Sequence, residues 1–570
     1  MDTPALDYGR APNPCSEIPR YVAYTSPVST GRMNEGSPAA TLPLNLVARI
    51  VGYLDDIGDI ARVTRTSRLL YYMSLPQLYQ RVNLHSYGDI RYVNGRPEGF
   101  GSGSPLIMAL DGLVTKSHAA LVEEFKIWGS WKELGVEDFA KGRVPDNSMM
   151  LNILLRAATD KMMKLRSFSW ELDSKPLKTL YQGLSAHTTL TSLSIKCPTS
   201  KVPRPSVMVP AMPNLRVFKV TDIDPLCYPD DISMLLLHSR RLEDLRLHFS
   251  PRMRREAEPS VSLHTYFGRC WNAGYRLRVK HFALQSFFGV SMEGAEAIWD
   301  PDTCKSTTFI DTFGGTGANP RNVYVDDTWK NIPTDMKTDC RIVRINEVAP
   351  QHVELMRRAI GQECLYIINA KRPKTEDTDD SPTSTLITPG DTPPADEEMA
   401  QLGKEYLYVL TRHHGQTLKH LLLHDQWAFG PEDVGDLVRY CPNLEQLGLA
   451  LNSSNHATMR LLMPFLPKLK AVRILHNEWL AEHMRVISHE DRLAGMSADL
   501  WKAGAQQLEW IGIADAVYKC GKNYQAAKAD GTTEWRREVT MASRADVQHV
   551  EIWSLDVLDI SADPIAPFSP

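Results

Sequence analysis

Histidines are the residues of this 570-residue chain whose types and spacing first suggest chemistry. His413, His414, His420 and His424 lie close together in sequence, and imidazole nitrogens are common zinc ligands. If residues 418–423 form a strand, His420 and His424 share one face but lie about 13 Å apart, because a strand rises about 3.3 Å per residue. One strand therefore cannot bring both rings to one metal ion, and the sequence predicts no metal site and no cofactor.

A glycine-rich stretch and the cysteines are the other candidates for chemistry. Residues 313–320, FGGTGANP, lack the terminal Lys-Ser/Thr of a P-loop and the spacing of a dinucleotide-binding turn, which favours a surface turn. The nine cysteines are dispersed and never form Cys-x-x-Cys, which indicates reduced thiols in the cytoplasm or nucleus. No Gly-x-Ser-x-Gly or His-Glu-x-x-His motif occurs, so the sequence predicts a protein that is not an enzyme.

Composition disfavours two classes of partner. The formal net charge is −4, whereas general nucleic-acid binding needs a basic surface. No apolar run reaches the length of a membrane span, and the opening residues MDTPALDYGR lack the apolar centre of a secretory signal. We therefore expect protein partners rather than nucleic acid or a membrane.

A spaced apolar pattern recurs through most of the chain. Each unit has apolar residues at its first, fourth and sixth positions. The first four units begin 25, 25 and 27 residues apart. This period and spacing are typical of leucine-rich repeats, in which each unit supplies one short strand and one return segment. The units are 165–170, 190–195, 215–220, 242–247, 279–284, 418–423, 444–449, 469–474, 508–513 and 547–552.

One such unit cannot bury its own apolar face, so the units are expected to stack. The predicted fold is α/β: a curved leucine-rich-repeat solenoid with a parallel sheet on its concave face. The less regular residues 304–370 are interpreted as degenerate repeats with long loops. A doubly wound α/β domain is the alternative, because it also alternates strands and helices.

Residues 41–84 carry a different, helical pattern. Pro43 is suited to the first position of a helix, since its missing N–H would have no partner there. A second helix is expected to reach Leu70, and a third short turn to begin at Pro76. Three helices in so few residues have too little interior to bury every apolar group, so part of this surface should face a partner. The first helix carries Leu46, Val47, Ile50, Val51 and Leu54.

This pattern resembles the F-box, and with the repeats it resembles the F-box/leucine-rich-repeat proteins of filamentous fungi. The match rests on Leu42-Pro43, Tyr53-Leu54, Asp59-Ile60 and the Leu-Pro-x-Leu-Tyr at 75–79. The resemblance implies a substrate receptor of a cullin–RING ubiquitin ligase, which docks on the adaptor subunit and holds a protein substrate on its repeats. The implied adaptor-binding residues are Leu42, Pro43, Leu46, Ile50, Leu54, Ile60 and Val63.

The chain is therefore divided as follows. Residues 1–40, rich in Pro, Ser and Gly, are predicted to be a disordered tail. The F-box-like adaptor-binding unit occupies 41–84, a linker and the start of the solenoid 85–160, and the solenoid 161–560. Residues 371–400 are predicted to be a disordered insert in the solenoid, and phosphorylation at Ser381, Thr388 or Thr392 beside prolines is an alternative role for them.

The substrate is expected on the concave face, where binding energy concentrates in aromatic and Arg side chains. The predicted substrate-binding residues are Arg473, Trp510, Trp553, Leu422 and Leu475. The alternative for Trp510 and Trp553 is that they pack in the core. Two other classes of function stay open: a repeat scaffold without a ubiquitin-ligase role, and an enzyme with a site in 304–370.

Overall fold

The computed structural model describes two compact units that divide between Arg81 and Val82. The described residues are 43–99, 104–198, 206–224, 231–250, 263–287, 300, 302–310, 338–348, 350–369, 396–452, 462–476, 480, 489–503, 506–527 and 531–562. The predicted tail 1–40, the loop 313–320 and most of the insert 371–400 lie outside them. The end of that insert is helical, because residues 396–400 begin the helix Asp396–Val409.

The first unit contains three helices, α1 (Leu44–Gly52), α2 (Ile57–Val63) and α3 (Arg68–Gln80). The Asp56 carboxylate accepts a hydrogen bond from the Asp59 N–H at 2.8 Å and caps α2. Ser67 caps α3 in the same way, so α2 ends before Leu70, contrary to the prediction. Pro76 lies inside α3 rather than at the start of a separate turn.

Tertiary contacts hold these helices together. Helix α3 packs against both α1 and α2. The Gln77 side chain also donates a hydrogen bond to the Leu54 carbonyl at 2.6 Å, which satisfies a carbonyl in the connection between α1 and α2. The three-helix count predicted from the sequence is therefore correct, although two boundaries are not.

The second unit contains a large, mostly parallel sheet with helical return segments. Its helices are Pro105–Thr115, Asp146–Lys161, Lys178–Ala186, Ser233–His238, Leu263–Asn272, Pro350–Arg358, Asp396–Val409, Pro431–Tyr440, His489–Ala503 and Glu551–Ser554. Its strands, in chain order from β1 to β19, are Arg81–Ser86, Arg91–Val93, Arg96–Glu98, Glu124–Gly129, Ser167–Leu172, Ser192–Lys196, Val217–Ile223, Asp244–Phe249, His281–Gln285, Ser306–Ile310, Ile342–Ile345, Cys364–Ile367, His420–Leu422, Ala428–Phe429, Gln446–Leu451, Ala471–Ile474, Trp510–Ile513, Ala516–Ala527 and Thr533–Ala542.

Successive repeats form successive parallel strands. From β4 to β13 each strand pairs with the next in chain order, and β13, β15, β16 and β17 continue the series. A doubly wound domain would reverse the strand order at a switch point, and the described strands from β4 to β17 show no such reversal. The arrangement is consistent with a repeat solenoid.

The register explains why the apolar spacing was visible in the sequence. The middle apolar residue of each unit pairs with the same position of the next, as Leu193 does with Phe218 and Leu447 with Val472. These side chains are fully buried in two large apolar clusters between the sheet and the return segments. Strands β10, β11 and β12 extend the same sheet through the irregular middle of the chain.

The last predicted repeat is wrong. After β17 the chain turns back as the antiparallel strands β18 and β19, which the apolar spacing did not predict. Residues 547–552 then form no strand, because helical turns occupy Arg544–Val547 and Glu551–Ser554. Val547, Val550 and Ile552 are still buried, so their spacing reflects burial of a helical segment.

Candidate docking surfaces

The apolar stripe of α1 divides between two faces of the helix. Leu46, Ile50 and Tyr53 follow one another at steps of four and three, which places them on one face, and all three are exposed. Ile50 is 57% exposed and Tyr53 81%. Val51, on the other side, is buried. The apolar residues of the first helix therefore form two surfaces: one faces the interior of the unit and the other faces solvent.

Further large apolar side chains are exposed on this unit. Ile57 begins α2, and Leu69 and Tyr72 lie on α3; all three are exposed. Exposed apolar side chains are typical of interaction surfaces where they form a contiguous patch. We call the exposed residues of the three helices the apolar face: Leu46, Ile50, Tyr53, Ile57, Leu69 and Tyr72.

The predicted adaptor-binding residues divide into three groups. Leu42 lies outside the described residues, and Pro43, like Leu46 and Ile50, is exposed. Leu54 and Val63 are half-buried. Ile60 is 3% exposed, so it is part of the interior and not of the accessible surface. The sequence reasoning missed Ile57, Leu69 and Tyr72, because α2 and α3 were given wrong boundaries.

The face of the parallel sheet opposite the return segments carries polar and basic side chains. Register aligns one residue of each strand in a single row: Lys219, Arg246, Ala283, Thr308, Arg344, Tyr366, Leu422, Gly448, Arg473 and Gly512. We call this surface the polar face. These residues alternate along each strand with the side chains that point into the core.

The polar face is not open, because residues 551–562 of the same chain lie across it. We call these residues the covering segment. Ile552, Trp553 and Leu555 pack with Leu422, Leu475 and Trp510 in one buried cluster. The five predicted substrate-binding residues, Arg473, Trp510, Trp553, Leu422 and Leu475, are all less than 10% exposed. Their expected exposure was wrong, because a segment distant in sequence covers them.

A missing side chain at Gly512 makes room for this packing. A Cβ atom at Gly512 would lie 2.8 Å from the ring of Trp553 and 3.1 Å from the side chain of Arg473. Both distances are shorter than ordinary van der Waals contact. Glycine is therefore needed in β17 for close approach, although its backbone conformation is ordinary.

A buried ion pair fixes the covering segment above β16. The Arg473 guanidinium lies 2.8 Å from the Asp556 carboxylate and donates a hydrogen bond to the Ile552 carbonyl at 2.7 Å. The other carboxylate oxygen of Asp556 accepts a hydrogen bond from the Asn369 N–H at 2.7 Å. Asp556 is thus paired and hydrogen-bonded on both sides, as a buried charge must be.

Two more guanidinium groups bind the backbone of the covering segment. Arg344 donates hydrogen bonds to the carbonyls of Leu555, Val557 and Asp559. Arg246 donates one to the Ile560 carbonyl at 2.9 Å. These contacts extend the covered area from β11 to β8.

Arg246 and Gln285 hold the end of the covering segment on neighbouring strands. Arg246 is oriented by an ion pair with Asp244 of 2.6 Å. The Gln285 side chain donates a hydrogen bond to the Leu558 carbonyl at 3.0 Å and accepts one from the Ile560 N–H at 3.0 Å. Lys219 of β7 contacts the Ser561 hydroxyl. The polar face therefore recognises mainly the backbone of the segment.

Arg344 and Asp559 at this contact are both charged at neutral pH. Burial lowers the pKa of Arg344 to about 10, and the charge of Asp559 opposes the shift, so the guanidinium stays charged at neutral pH. Partial burial would raise the pKa of Asp559, but hydrogen bonds from Ser561 and the charge of Lys219 bring it below its usual value. Asp559 is therefore ionised across the neutral range.

Two of the four histidines that suggested a metal, His414 and His420, are held in hydrogen bonds inside the fold. His414 is buried; its Nε2 donates a hydrogen bond to the Met356 carbonyl at 2.8 Å, and its Nδ1 accepts one from the Gln362 N–H at 3.4 Å. His420 is buried with its Nδ1 2.7 Å from the Tyr366 hydroxyl. Burial lowers the pKa of both imidazoles. Among the described residues no group of His, Cys, Asp or Glu side chains is arranged to hold a metal ion.

Because the pKa of each of these histidines is lowered, we expect the folded state to lose stability at acidic pH. A folded-state pKa below the unfolded value of about 6.5 gives stability that is present above that pH and is lost as the pH falls below it. We expect the urea midpoint to fall between pH 7 and pH 5, and to fall less in His414→Gln, which does not titrate. A variant with the same pH dependence as the native chain would contradict this assignment.

The described cysteines are unsuited to nucleophilic chemistry. All seven are buried: Cys197, Cys270, Cys304, Cys340, Cys364, Cys441 and Cys520. Burial raises the pKa of Cys441 and of Cys520 to about 12, which leaves them as thiols at neutral pH. Within the described part of the chain, no helix has both the length and the apolar character needed to cross a membrane.

The likeness of this chain to known proteins is weak. No protein-family profile matches the sequence, and no curated protein matches it. Among solved structures, the yeast complex of Rad7 and Elc1 contains a chain that is 12% identical, with a TM-score of 0.34. The match covers 76% of this chain and 87% of that one. A likeness at this level carries no argument about function.

Proposed function

We propose that this chain is a non-catalytic substrate-recognition subunit of a cullin–RING ubiquitin ligase. The three-helix unit would bind the adaptor subunit, and the sheet-containing unit would bind a protein substrate. The observation that carries the proposal is the apolar face. Its members Leu46, Ile50 and Tyr53 belong to the part of the sequence that resembles the F-box, and they are exposed as a docking surface requires.

The alternative is a repeat scaffold in which the three helices bind no ligase adaptor. In both proposals the sheet-containing unit binds a protein, so only adaptor binding distinguishes them. The buried Ile60 and Val51 belong to the interior in either case. The exposed Ile50 is therefore the position at which the two proposals make different predictions.

Ile50→Asp is expected to weaken adaptor binding by about 100-fold or more, because a carboxylate would be desolvated in an apolar interface. Ala48→Asp is the matched control: it adds the same charge to α1, is exposed, and lies about 200° around the helix from Ile50. The measurement is a pull-down and a titration with purified adaptor, with melting temperatures of both variants.

Three results would decide the matter. Loss of binding in Ile50→Asp alone, with unchanged melting temperature, supports the receptor. Equal loss in both variants would mean that the apolar face is not the contact. Absence of adaptor binding by the native chain would favour the scaffold.

A further inference from the structure

The covering segment occupies the polar face as a bound peptide would. Its polar contacts include those from side chains on five strands of the sheet, β7, β8, β9, β11 and β16, and most of these reach its backbone carbonyls and N–H groups. Hydrogen bonds to the backbone supply affinity in recognition of this kind, and the pockets for side chains supply specificity. Such recognition is how proteins bind peptides added to a preformed surface.

The segment has two parts that differ in their contacts. Ile552 and Trp553 are buried in an apolar cluster with Trp510 and Leu475. Residues 555–562 mix buried side chains, as at Leu555 and Ile560, with side chains exposed to solvent, as at Val557. None of residues 555–562 belongs to the two clusters between the sheet and its return segments, so this second part can leave without opening that core.

Charge complementarity indicates which other peptides could bind to the polar face in place of residues 555–562. Residues 555–562 carry the acids Asp556 and Asp559 between aliphatic side chains, and the surface beneath them carries Lys219, Arg246, Arg344 and Arg473. Arg246 has a partner on the sheet itself, Asp244. Leu558 and Ile560 pack in a small apolar cluster with Ala283, Ile310 and Ile368. A ligand needs both features, acids and aliphatic residues in alternation.

We propose that the polar face between β7 and β16 is a binding site for acidic, aliphatic peptide segments of a partner protein, and that residues 555–562 are its replaceable internal occupant. This site is independent of adaptor binding by the three-helix unit. A partner must compete with the occupant, whose attachment to the same chain gives it a high effective concentration.

The test removes the occupant and returns it as a free peptide. A chain that ends after Ser554 keeps the helix Glu551–Ser554 with its buried apolar contacts and loses only residues 555 onward. The probe is the peptide Leu-Asp-Val-Leu-Asp-Ile-Ser-Ala, residues 555–562, with blocked ends and a fluorophore at its carboxyl end. Fluorescence anisotropy should give saturable binding to the shortened chain, and binding at least about 10-fold weaker to the full chain.

Two controls test the chemistry of the site. A peptide with both Asp residues replaced by Asn has the same length and shape, and it should bind at least about 10-fold more weakly, since it cannot pair with Arg473 or Lys219. Arg344→Met in the shortened chain should weaken binding of the native peptide similarly. Equal binding of both peptides would overturn the proposed preference for acids.

The other outcomes of this test depend on whether the shortened chain folds. A shortened chain with native circular dichroism that does not bind the peptide overturns the proposal. If the shortened chain does not fold, Asp556→Lys in the full chain keeps the polar face intact and weakens the occupant, and it should bind the probe more tightly than the native chain. If this variant also fails to fold, residues 555–562 are an integral part of the fold and the proposal is wrong.

Discussion

Trp510→Ala is expected to lower the free energy of unfolding by about 3 to 5 kcal/mol, the usual cost of removing a buried Trp side chain. Trp510 is 7% exposed and belongs to the cluster that joins β17 to the covering segment. Its loss leaves a cavity beside Trp553, which is itself held close to Gly512. Urea unfolding followed by circular dichroism measures the change.

The sequence alone suggested that Trp510 could bind a substrate, and this experiment separates the two roles. Trp535→Ala is the matched control, because Trp535 in β19 is 46% exposed and stacks on Trp501 at the surface. We expect a small effect there, since surface substitutions usually change stability by less than about 0.5 kcal/mol. Equal stability of the native chain and Trp510→Ala would contradict the packing described above.

Arg344→Met is expected to release the second part of the covering segment. Methionine keeps most of the side-chain length but cannot donate, so the carbonyls of Leu555, Val557 and Asp559 lose their common partner. Hydrogen bonds to charged groups contribute about 1.5 to 3 kcal/mol each, and the loss of two or three of them is a large effect. Amide hydrogen exchange in residues 555–562 should rise by about 100-fold or more, whereas exchange in the strands stays slow.

Arg344→Lys separates the contribution of the positive charge from that of the guanidinium geometry. Lysine keeps the positive charge near Asp559 but lacks the planar fork with which one guanidinium reaches three carbonyls. Exchange in this variant should lie between that of the native chain and that of Arg344→Met. Unchanged exchange in Arg344→Met would show that the segment is held by its apolar residues alone.

The repeat strands could be predicted from the sequence because their signal is local. The spacing of Leu190, Leu193 and Ile195 indicates which side chains of one strand point into the core. The same spacing applies to the strands on either side. No alignment was needed to find it. The helix count of the first unit was predictable for the same reason, although the cap at Ser67 was read as part of a helix.

The cover on the polar face could not be predicted in this way. Arg246 and Ile560 are separated by 314 positions in sequence, and nothing in the local pattern of either residue indicates the other. Arg473 is of a type that binds partners at open surfaces, and the sequence therefore predicts it as a substrate-binding residue. Burial of such groups is visible only when the carbonyls that receive their hydrogen bonds are located.

The antiparallel hairpin after β17 limits how such a chain can lengthen during evolution. Tandem duplication of a terminal unit is the simplest way for a repeat array to grow, and it requires a free strand edge in the same direction. Both edges of β17 are already taken, one by the parallel β16 and the other by the antiparallel β18. At this end of the sheet, new units can therefore enter only between existing parallel strands. An insertion between β8 and β16 would shift the covering segment out of register with the guanidinium groups that hold it.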